Sequence, residues 1–239
     1  MLVNYNPQDG SINIMSIPRD TKINVKGSSI PKINSAYAIN GAEYLVNIVK
    51  SELEIDVNYY VAVDISLFRE IIDLLDGVDY NVPCDMDYDD PIQNLHIHLK
   101  KGQQHFDGAK AEQFMRFRQP NVYTKEILQY YDGSDLKRIK AQQNFLKEVI
   151  RQKAKPQYIA KASDIIDMVF EKIETNLTPN DIFKLLPTAD KISVDKVSTF
   201  TLPGEISETG GWYYVINKEE AKKITDEYFQ TTAQSYSQQ

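Results

Sequence analysis

The chain has 239 residues, of which 42% are hydrophobic and 26% are charged, and this composition is typical of a globular protein. Its formal net charge of −7 disfavours nucleic acid as a partner, because proteins that bind duplex DNA usually present a basic face. The one cysteine, Cys84, excludes an internal disulfide framework and any zinc site built from several cysteines. No apolar run exceeds five residues, which is too short for a membrane-spanning helix.

The first 25 residues resemble a β-hairpin. Residues 1–5 and 11–17 have strand composition and flank a turn-forming segment at 6–10. Pro18 ends the second strand, because proline has no amide hydrogen to donate. We expect Arg19 to lie at the mouth of this strand, where sheets often carry binding residues. Because the chain opens directly on a strand, we also expect a further segment upstream.

Helices and strands then alternate. Residues 41–53 have an apolar face at helical spacing, and a short β-rich segment follows at 59–63. Ser66 is the predicted N-cap of the next helix, which Gly77 ends, and residues 78–82 are the next predicted strand. This alternation predicts one α/β domain with a mixed, twisted sheet flanked by helices on both sides.

The rest of the chain is predicted to be mostly helical. We expect an irregular polar segment at 83–98 and a disordered tail at 231–239, so that the domain spans residues 1–230. The predicted helices are 108–117, 135–153, 164–174, 179–186 and 218–229, and the predicted late strands are 197–202 and 212–216.

Two polar clusters raise the possibility of a metal site. Four aspartates at 85–90 begin like a calcium-binding EF-hand loop, but its sixth position is Asp90 rather than glycine and its twelfth is His96 rather than glutamate. A solvated acidic loop is therefore predicted. His96 and His98 would share one strand face, with His105 nearby, but no flanking carboxylate pattern supports them as ligands. We predict no metal-binding residue.

The basic residues are more informative. Arg116 and Arg118 follow an apolar helix face and would point the same way if the helix ends there and the chain extends. Arg138 opens a later helix, with Gln142 one turn beyond it on the same face. Each of these alone is typical of a solvated surface charge. Together with Arg19, they predict a site for a phosphate or pyrophosphate group.

Several short motifs occur in a characteristic order. They are SIPRD at 16–20, PKINSAY at 31–37, the Gly-Val turn at 77–78, KGQQ at 101–104, DGAKA at 107–111 and, more loosely, LPG at 202–204 and GWYY at 211–214. In this order and spacing they resemble the LytR–CpsA–Psr family of bacterial cell-envelope proteins. The resemblance is strongest over residues 1–153, and residues 154–230 form the helical and late-strand remainder.

The resemblance implies an extracytoplasmic phosphotransferase. Such proteins move an anionic glycopolymer, such as a teichoic acid or a capsule polymer, from a polyprenyl-pyrophosphate lipid to peptidoglycan, with magnesium. It implies that six residues hold the pyrophosphate or shape its pocket, and the arginines among them are the expected catalytic residues: Arg19, Lys32, Arg116, Arg118, Arg138 and Gln142. Guanidinium groups suit this task because they bind phosphate oxygens in pairs and stabilise charge that builds up during transfer.

Some positions depart from the family pattern. Ala141 stands where a second arginine is usual, and Glu112 and Phe114 stand where leucine and tyrosine are usual. The family's metal-holding carboxylates and its membrane anchor lie upstream of the first strand. We therefore expect a shortened member that is soluble as given, weak or inactive by itself, and only weakly able to place magnesium. In its full-length form it would be anchored in the membrane at the cell surface.

Two alternatives stay open. The first is a degenerate module that binds polyprenyl pyrophosphate or wall polymer without turnover. The second, less favoured, is a transcriptional attenuator, against which the pI of about 5.1 and the lack of a helix-turn-helix pattern argue. For the transferase we expect an apolar tunnel for the polyprenyl chain beside the arginines, although its lining cannot be told from core in sequence.

Overall fold

A computed structural model describes residues 1–26, 29–159, 166, 170–207 and 212–230. The helices are α1 (Ile33–Leu53), α2 (Ile65–Leu74), α3 (Gly108–Arg116), α4 (Ile127–Tyr130), α5 (Asp135–Lys153), α6 (Pro156–Ile159), α7 (Pro179–Leu185) and α8 (Lys218–Tyr228). The strands are β1 (Leu2–Asn6), β2 (Ser11–Ser16), β3 (Val61–Ala62), β4 (Val78–Val82), β5 (Met86–Asp90), β6 (Leu95–Leu99), β7 (Gly102–Phe106), β8 (Glu174–Thr175), β9 (Val197–Thr201), β10 (Gly204–Ser207) and β11 (Tyr213–Ile216).

Strands β1, β2 and β9 form a mixed sheet with helices on both faces. β1 pairs with β2 antiparallel, as the predicted hairpin requires, and β9 joins β2 in parallel. Met15 packs into a buried cluster with Leu53 of α1 and Ala221 of α8. On the opposite face, Gln143 of α5 donates hydrogen bonds to Ser16 Oγ (3.1 Å) and to the carbonyl of Phe200. The predicted α/β architecture is confirmed.

The other strands of the described residues form four antiparallel pairs instead of widening this sheet. The pairs are β3 with β8, β4 with β7, β5 with β6 and β10 with β11. The prediction that residues 83–98 are irregular is wrong, because they contain β5 and most of β6. In β6, Leu95, Ile97 and Leu99 are buried and alternate with exposed polar residues, which is the period of a half-buried strand.

A second core of aromatic residues lies between α3, α5 and the β4–β7 pair. The ring of Tyr80 lies 4.7 Å from that of Phe114, whose own ring is 5.6 Å from that of Phe145. Burial raises the pKa of Tyr80 to about 12. Phe114 and Phe117 are both buried in this core, so they fix the end of α3 from both sides of Arg116.

Two helix starts differ from the predictions. α1 begins at Ile33 rather than at residue 41, and Gly41 interrupts it with a φ of 76°. The earlier turns are stabilised by burial of Ile33 and Ala36 rather than by an apolar stripe visible in sequence. The N-cap of α2 is Asp64 rather than Ser66, because its carboxylate accepts a hydrogen bond from the amide of Leu67.

The remaining boundaries agree more closely. β4 and α5 begin and end where predicted, whereas the strand predicted at 59–63 is reduced to the two residues of β3. Five of the eleven residues of the helix predicted at 164–174, and all of the tail at 231–239, lie outside the described residues, and Glu174 at the end of that prediction belongs to β8. In the described ranges, no helix is both long and apolar enough to cross a bilayer.

Candidate anion and lipid site

Four arginines from distant parts of the chain line one cavity of about 560 Å³, which we call the arginine cavity. Arg19 follows β2, Arg116 ends α3, Arg118 lies two residues later, and Arg138 lies near the start of α5. Gln142, one turn after Arg138, also lines it. The other lining residues are Ile65, Tyr88, Gln93, Leu95, Met115 and Gln119.

The backbone after α3 explains how two neighbouring arginines reach the same cavity. Phe117 is extended (φ −63°, ψ 125°) and its ring is buried, so Arg116 and Arg118 flank a fixed point. Arg118 Nε also donates a hydrogen bond of 2.6 Å to the carbonyl of Gly133. Both arginines therefore line the cavity, as predicted from their spacing.

The first turn of α5 holds the other side of the arginine cavity. Asp135 accepts hydrogen bonds from the side chain of Arg138 and from the backbone amide of Arg19 (3.4 Å). Gln142 Nε2 donates a hydrogen bond of 2.9 Å to the carbonyl of Met115, which ties α5 to the end of α3. These contacts join the three chain segments that supply the arginines.

The charge of the arginine cavity suits an anion. Its described lining contains four arginines and no carboxylate. Glu112 forms an ion pair with Arg116 (3.0 Å), but it lies outside the lining. Arg138 Nε is buried without a hydrogen-bond partner among the described residues. Guanidinium groups with free donors bind phosphate oxygens strongly, because these hydrogen bonds are charge-assisted.

Lys32, the remaining predicted binding residue, does not line the arginine cavity. Its Nζ forms an ion pair with Asp20 Oδ1 at 2.8 Å and lies over the ring of Tyr213. Asp20 and Arg118 both line a neighbouring cavity of about 350 Å³. The structure thus brings five of the six predicted residues together and pairs Lys32 with Asp20, the residue that follows Arg19.

The arginine cavity does not fit magnesium. This ion prefers carboxylate, phosphate and water oxygens, yet the described lining offers no carboxylate. The nearby carboxylates already have cationic partners, Asp20 with Lys32 and Asp135 with Arg138. Cys84 is no candidate nucleophile, because burial raises the pKa of its thiol to about 11.

An apolar cavity of about 560 Å³ adjoins the arginine cavity, and Arg19 lines both. We call it the apolar cavity. It lies between β1, α1 and the segment around β3. Its other lining residues are Met1, Leu2, Val3, Ile17, Ile33, Asn34, Tyr37, Ala42, Leu45, Val46, Val49, Val57, Tyr59, Tyr60, Val61 and Ala62. Its volume lies within the range of roughly 300–1,000 Å³ that is usual for ligand pockets.

Sequence reasoning did not identify the lining of the apolar cavity. Leu45 and Val49 belong to the apolar face predicted for residues 41–53, where they were expected to be core. Tyr59 and Val61 are about half exposed, at 51% and 49%, although apolar periodicity treats them as strand residues. No local signal separates a side chain that lines a cavity from one that fills a core.

Comparison with known proteins places these features in a family. The LytR_cpsA_psr family model matches residues 1–230. The polyisoprenyl-teichoic acid–peptidoglycan teichoic acid transferase TagV of Bacillus subtilis is 26% identical over 97% of this chain, and the transferase TagU of Bacillus cereus is 29% identical over 95%. The chain spans 59% of the length of TagV and 70% of that of TagU.

Solved structures show the same fold. The crystal structure of B. subtilis TagV superposes with a TM-score of 0.75 at 26% identity, covering 96% of this chain and 88% of that one. The structure of TagT bound to LI-WTA superposes with a TM-score of 0.68 at 25% identity, covering 94% and 80%.

Proposed function

The chain belongs to the LytR–CpsA–Psr family, and on that basis we propose that it transfers an anionic glycopolymer from a polyprenyl-pyrophosphate lipid to peptidoglycan. The relatives TagV and TagU are teichoic acid transferases by name, which makes a teichoic acid the first polymer to test. The site of action would be the outer face of the cell membrane, where the lipid-linked polymer and the peptidoglycan acceptor meet. A capsule polymer is the second candidate donor.

One observation carries this proposal: the arginine cavity and the apolar cavity meet at Arg19. A polyprenyl pyrophosphate that carries a polymer has a pyrophosphate group with two negative charges, joined directly to a long hydrocarbon chain. A ligand of this kind needs a cationic site and an apolar site that touch each other. Neither nucleic acid nor a free sugar would require the apolar half.

The arginines would act on the phosphates in two ways. In the transfer, an acceptor hydroxyl attacks the phosphorus that carries the polymer, loses its proton, and displaces polyprenyl phosphate as the P–O–P bond breaks. Arg116, Arg118 and Arg138 would hold the phosphate oxygens before the reaction and stabilise their added charge during it. Arg19, at the boundary of the two cavities, would place the phosphate next to the first carbons of the lipid.

A second candidate function is binding without turnover. It is favoured by the arginine cavity itself, whose described lining contains no carboxylate to hold a divalent cation. Such a protein would capture polyprenyl pyrophosphate or its linked polymer but release it unchanged. Both candidates require the same ligand, so only an assay of the transfer step separates them.

The deciding experiment incubates the chain with lipid-linked teichoic acid and peptidoglycan, and measures polymer that becomes covalently attached. Transfer by the wild type, lowered at least tenfold in Arg116→Ala, is the expected result, because losing a charge-assisted hydrogen bond costs about 1.5–3 kcal/mol. Arg151→Ala is the control, since Arg151 pairs with Glu148 elsewhere on α5. Tight binding of the donor with no transfer would favour the binding module, and no binding of the donor would refute both.

A further inference from the structure

The outer face of the β5–β6 pair brings two histidines and an aspartate together. His96 and His98 alternate with the buried residues of β6, so both side chains project from its exposed face. Asp89 lies directly opposite His96 in the strand register, and Asp87 lies opposite His98. The carboxylates that local sequence did not place beside the histidines therefore come from the neighbouring strand.

The distances within this cluster bring three potential ligand atoms close enough to share one cation. Asp89 Oδ1 lies 2.5 Å from His96 Nδ1 and 3.4 Å from His98 Nε2. One ligand atom from each of the three side chains lies within 4.8 Å of the others. Asp87 Oδ1 lies 2.6 Å from His98 Nδ1 and so leaves Nε2 of that ring facing Asp89. A carboxylate on the far nitrogen of a ligating histidine is the usual support of such a ligand.

We propose that Asp89, His96 and His98 form a site for a divalent transition metal of the zinc class, with water in the remaining coordination positions. Two imidazole nitrogens and one carboxylate suit zinc, nickel or copper, whereas magnesium prefers oxygen ligands alone. This site is separate from the arginine cavity and does not depend on the transferase proposal.

The three ligands have both the mobility and the anchoring that binding needs. Two ligand atoms bound to one tetrahedral zinc at about 2.0–2.1 Å lie about 3.3 Å apart, so Asp89 Oδ1 and His98 Nε2 are already near that separation at 3.4 Å, whereas Asp89 Oδ1 and His96 Nδ1 must move apart from 2.5 Å. Their side chains are about half exposed and can rotate to do so. The backbone at Asp89 is held, because its amide donates a hydrogen bond of 2.6 Å to Asn121 Oδ1 and its carbonyl accepts one from Asn121 Nδ2.

A metal at this position would stabilise the β5–β6 hairpin, which forms one wall of the arginine cavity. Tyr88 and Leu95 alternate with the ligands along β5 and β6 and line that cavity from the other face of the pair. Gln93, in the connecting turn, lines it too. Bound metal would therefore reduce the motion of this turn without entering the anion site.

The test is calorimetric titration of the full chain, free of any affinity tag, with zinc chloride at neutral pH. One site is expected, and His96→Ala or His98→Ala should weaken it at least tenfold. Asp87→Asn should also weaken it by about tenfold, because it removes the support of His98. Magnesium chloride under the same conditions should give no binding to this site.

His105→Ala is the matched control. His105 pairs with Asp79 across the β4–β7 pair, Nδ1 to Oδ1, at 2.8 Å and is similarly exposed, but in the described residues no third ligand joins this pair. Its replacement should leave zinc affinity unchanged. An equal loss of affinity in His105→Ala, or full zinc binding in both His96→Ala and His98→Ala, would overturn the proposal. Circular dichroism before each titration establishes that the variants are folded.

Discussion

Asp135 accepts hydrogen bonds from the side chain of Arg138 and from the backbone amide of Arg19, which lies 116 residues earlier in the chain. This one carboxylate therefore links the start of α5 to the end of β2. Arg138 is held by a single partner, and its Nε is buried and unpaired among the described residues. Pairing with Asp135 thus orients the guanidinium of Arg138 at the wall of the arginine cavity.

Replacing Arg138 should weaken binding of inorganic pyrophosphate. Each charge-assisted hydrogen bond contributes about 1.5–3 kcal/mol, so Arg138→Ala should raise the Kd roughly ten- to hundredfold. Arg151→Ala is the matched control, because Arg151 lies on the same helix and pairs with the carboxylate of Glu148 three residues before it. Isothermal titration of both variants checks this, and equal affinities would show that Arg138 is not a ligand-binding residue.

Filling the apolar cavity should weaken binding of the lipid without changing binding of the pyrophosphate group alone. Val46 lines this cavity, and Val46→Trp would occupy space that the hydrocarbon chain needs. Excluding only two methylene groups costs about 1.6 kcal/mol, so the affinity for polyprenyl pyrophosphate should fall at least tenfold. The affinity for inorganic pyrophosphate should stay the same.

Val122→Trp provides the control for this cavity-filling variant. Val122 is exposed at 76% and does not line the apolar cavity. The Val122→Trp substitution therefore adds the same indole ring without filling that cavity. Both affinities should match those of the wild type. If Val46→Trp weakens both ligands equally, the two cavities are not parts of one lipid site.

Much of the fold could be predicted because strong local signals coincide with its boundaries. β4 ends before Pro83, and α5 begins at the Ser134 cap, whose hydroxyl accepts a hydrogen bond from the amide of Lys137. Such signals act over a few residues and therefore remain visible in sequence. β6 carries a strand signal in the alternation of Leu95–Leu99, which the prediction of an irregular segment did not use, whereas three of the five residues of β5 are aspartates, a residue type that strands usually lack.

The candidate site, like the fold, could be predicted from the sequence only in part. The arginines were identified by their motifs and spacing, but the apolar cavity depends on long-range packing that no local pattern reports. Gln142 and Gln143 illustrate the difference. Gln142 lines the arginine cavity, whereas Gln143 is buried and ties α5 to Ser16 and Phe200 of the mixed sheet. Only tertiary structure tells these adjacent glutamines apart.

The Asp64 cap should make the stability of the protein depend on pH. Its carboxylate accepts a hydrogen bond from the amide of Leu67, and this lowers the pKa of Asp64 from its ordinary value. Because the folded pKa lies below the unfolded one, the stabilisation is present above the ordinary value of about 3.9 and is lost as the pH falls below it. Wild type should therefore exceed Asp64→Ala in stability at pH 6, with a smaller difference at pH 3.

Urea denaturation at the two pH values measures this difference. Asp195→Ala is the control, because Asp195 is exposed and caps no helix. The difference in stability between wild type and Asp195→Ala should be nearly the same at both pH values. A constant difference between wild type and Asp64→Ala at both pH values would show that the ionised carboxylate is not what stabilises α2.

Because four arginines and no carboxylate occur in the described lining of the arginine cavity, we expect it to bind inorganic pyrophosphate without a metal ion. Removing divalent cations with EDTA should therefore change the Kd for inorganic pyrophosphate by no more than about twofold.

Turnover should depend on metal placement, because a misplacement of about 1 Å at the reacting atoms can cost roughly 10²-fold in rate. With no carboxylate in the described lining to place a cation, this chain should transfer polymer about 10²-fold more slowly than TagV in a paired assay with magnesium. Equal rates would contradict this, and Asp20→Asn and Asp135→Asn would then show which carboxylate places the metal.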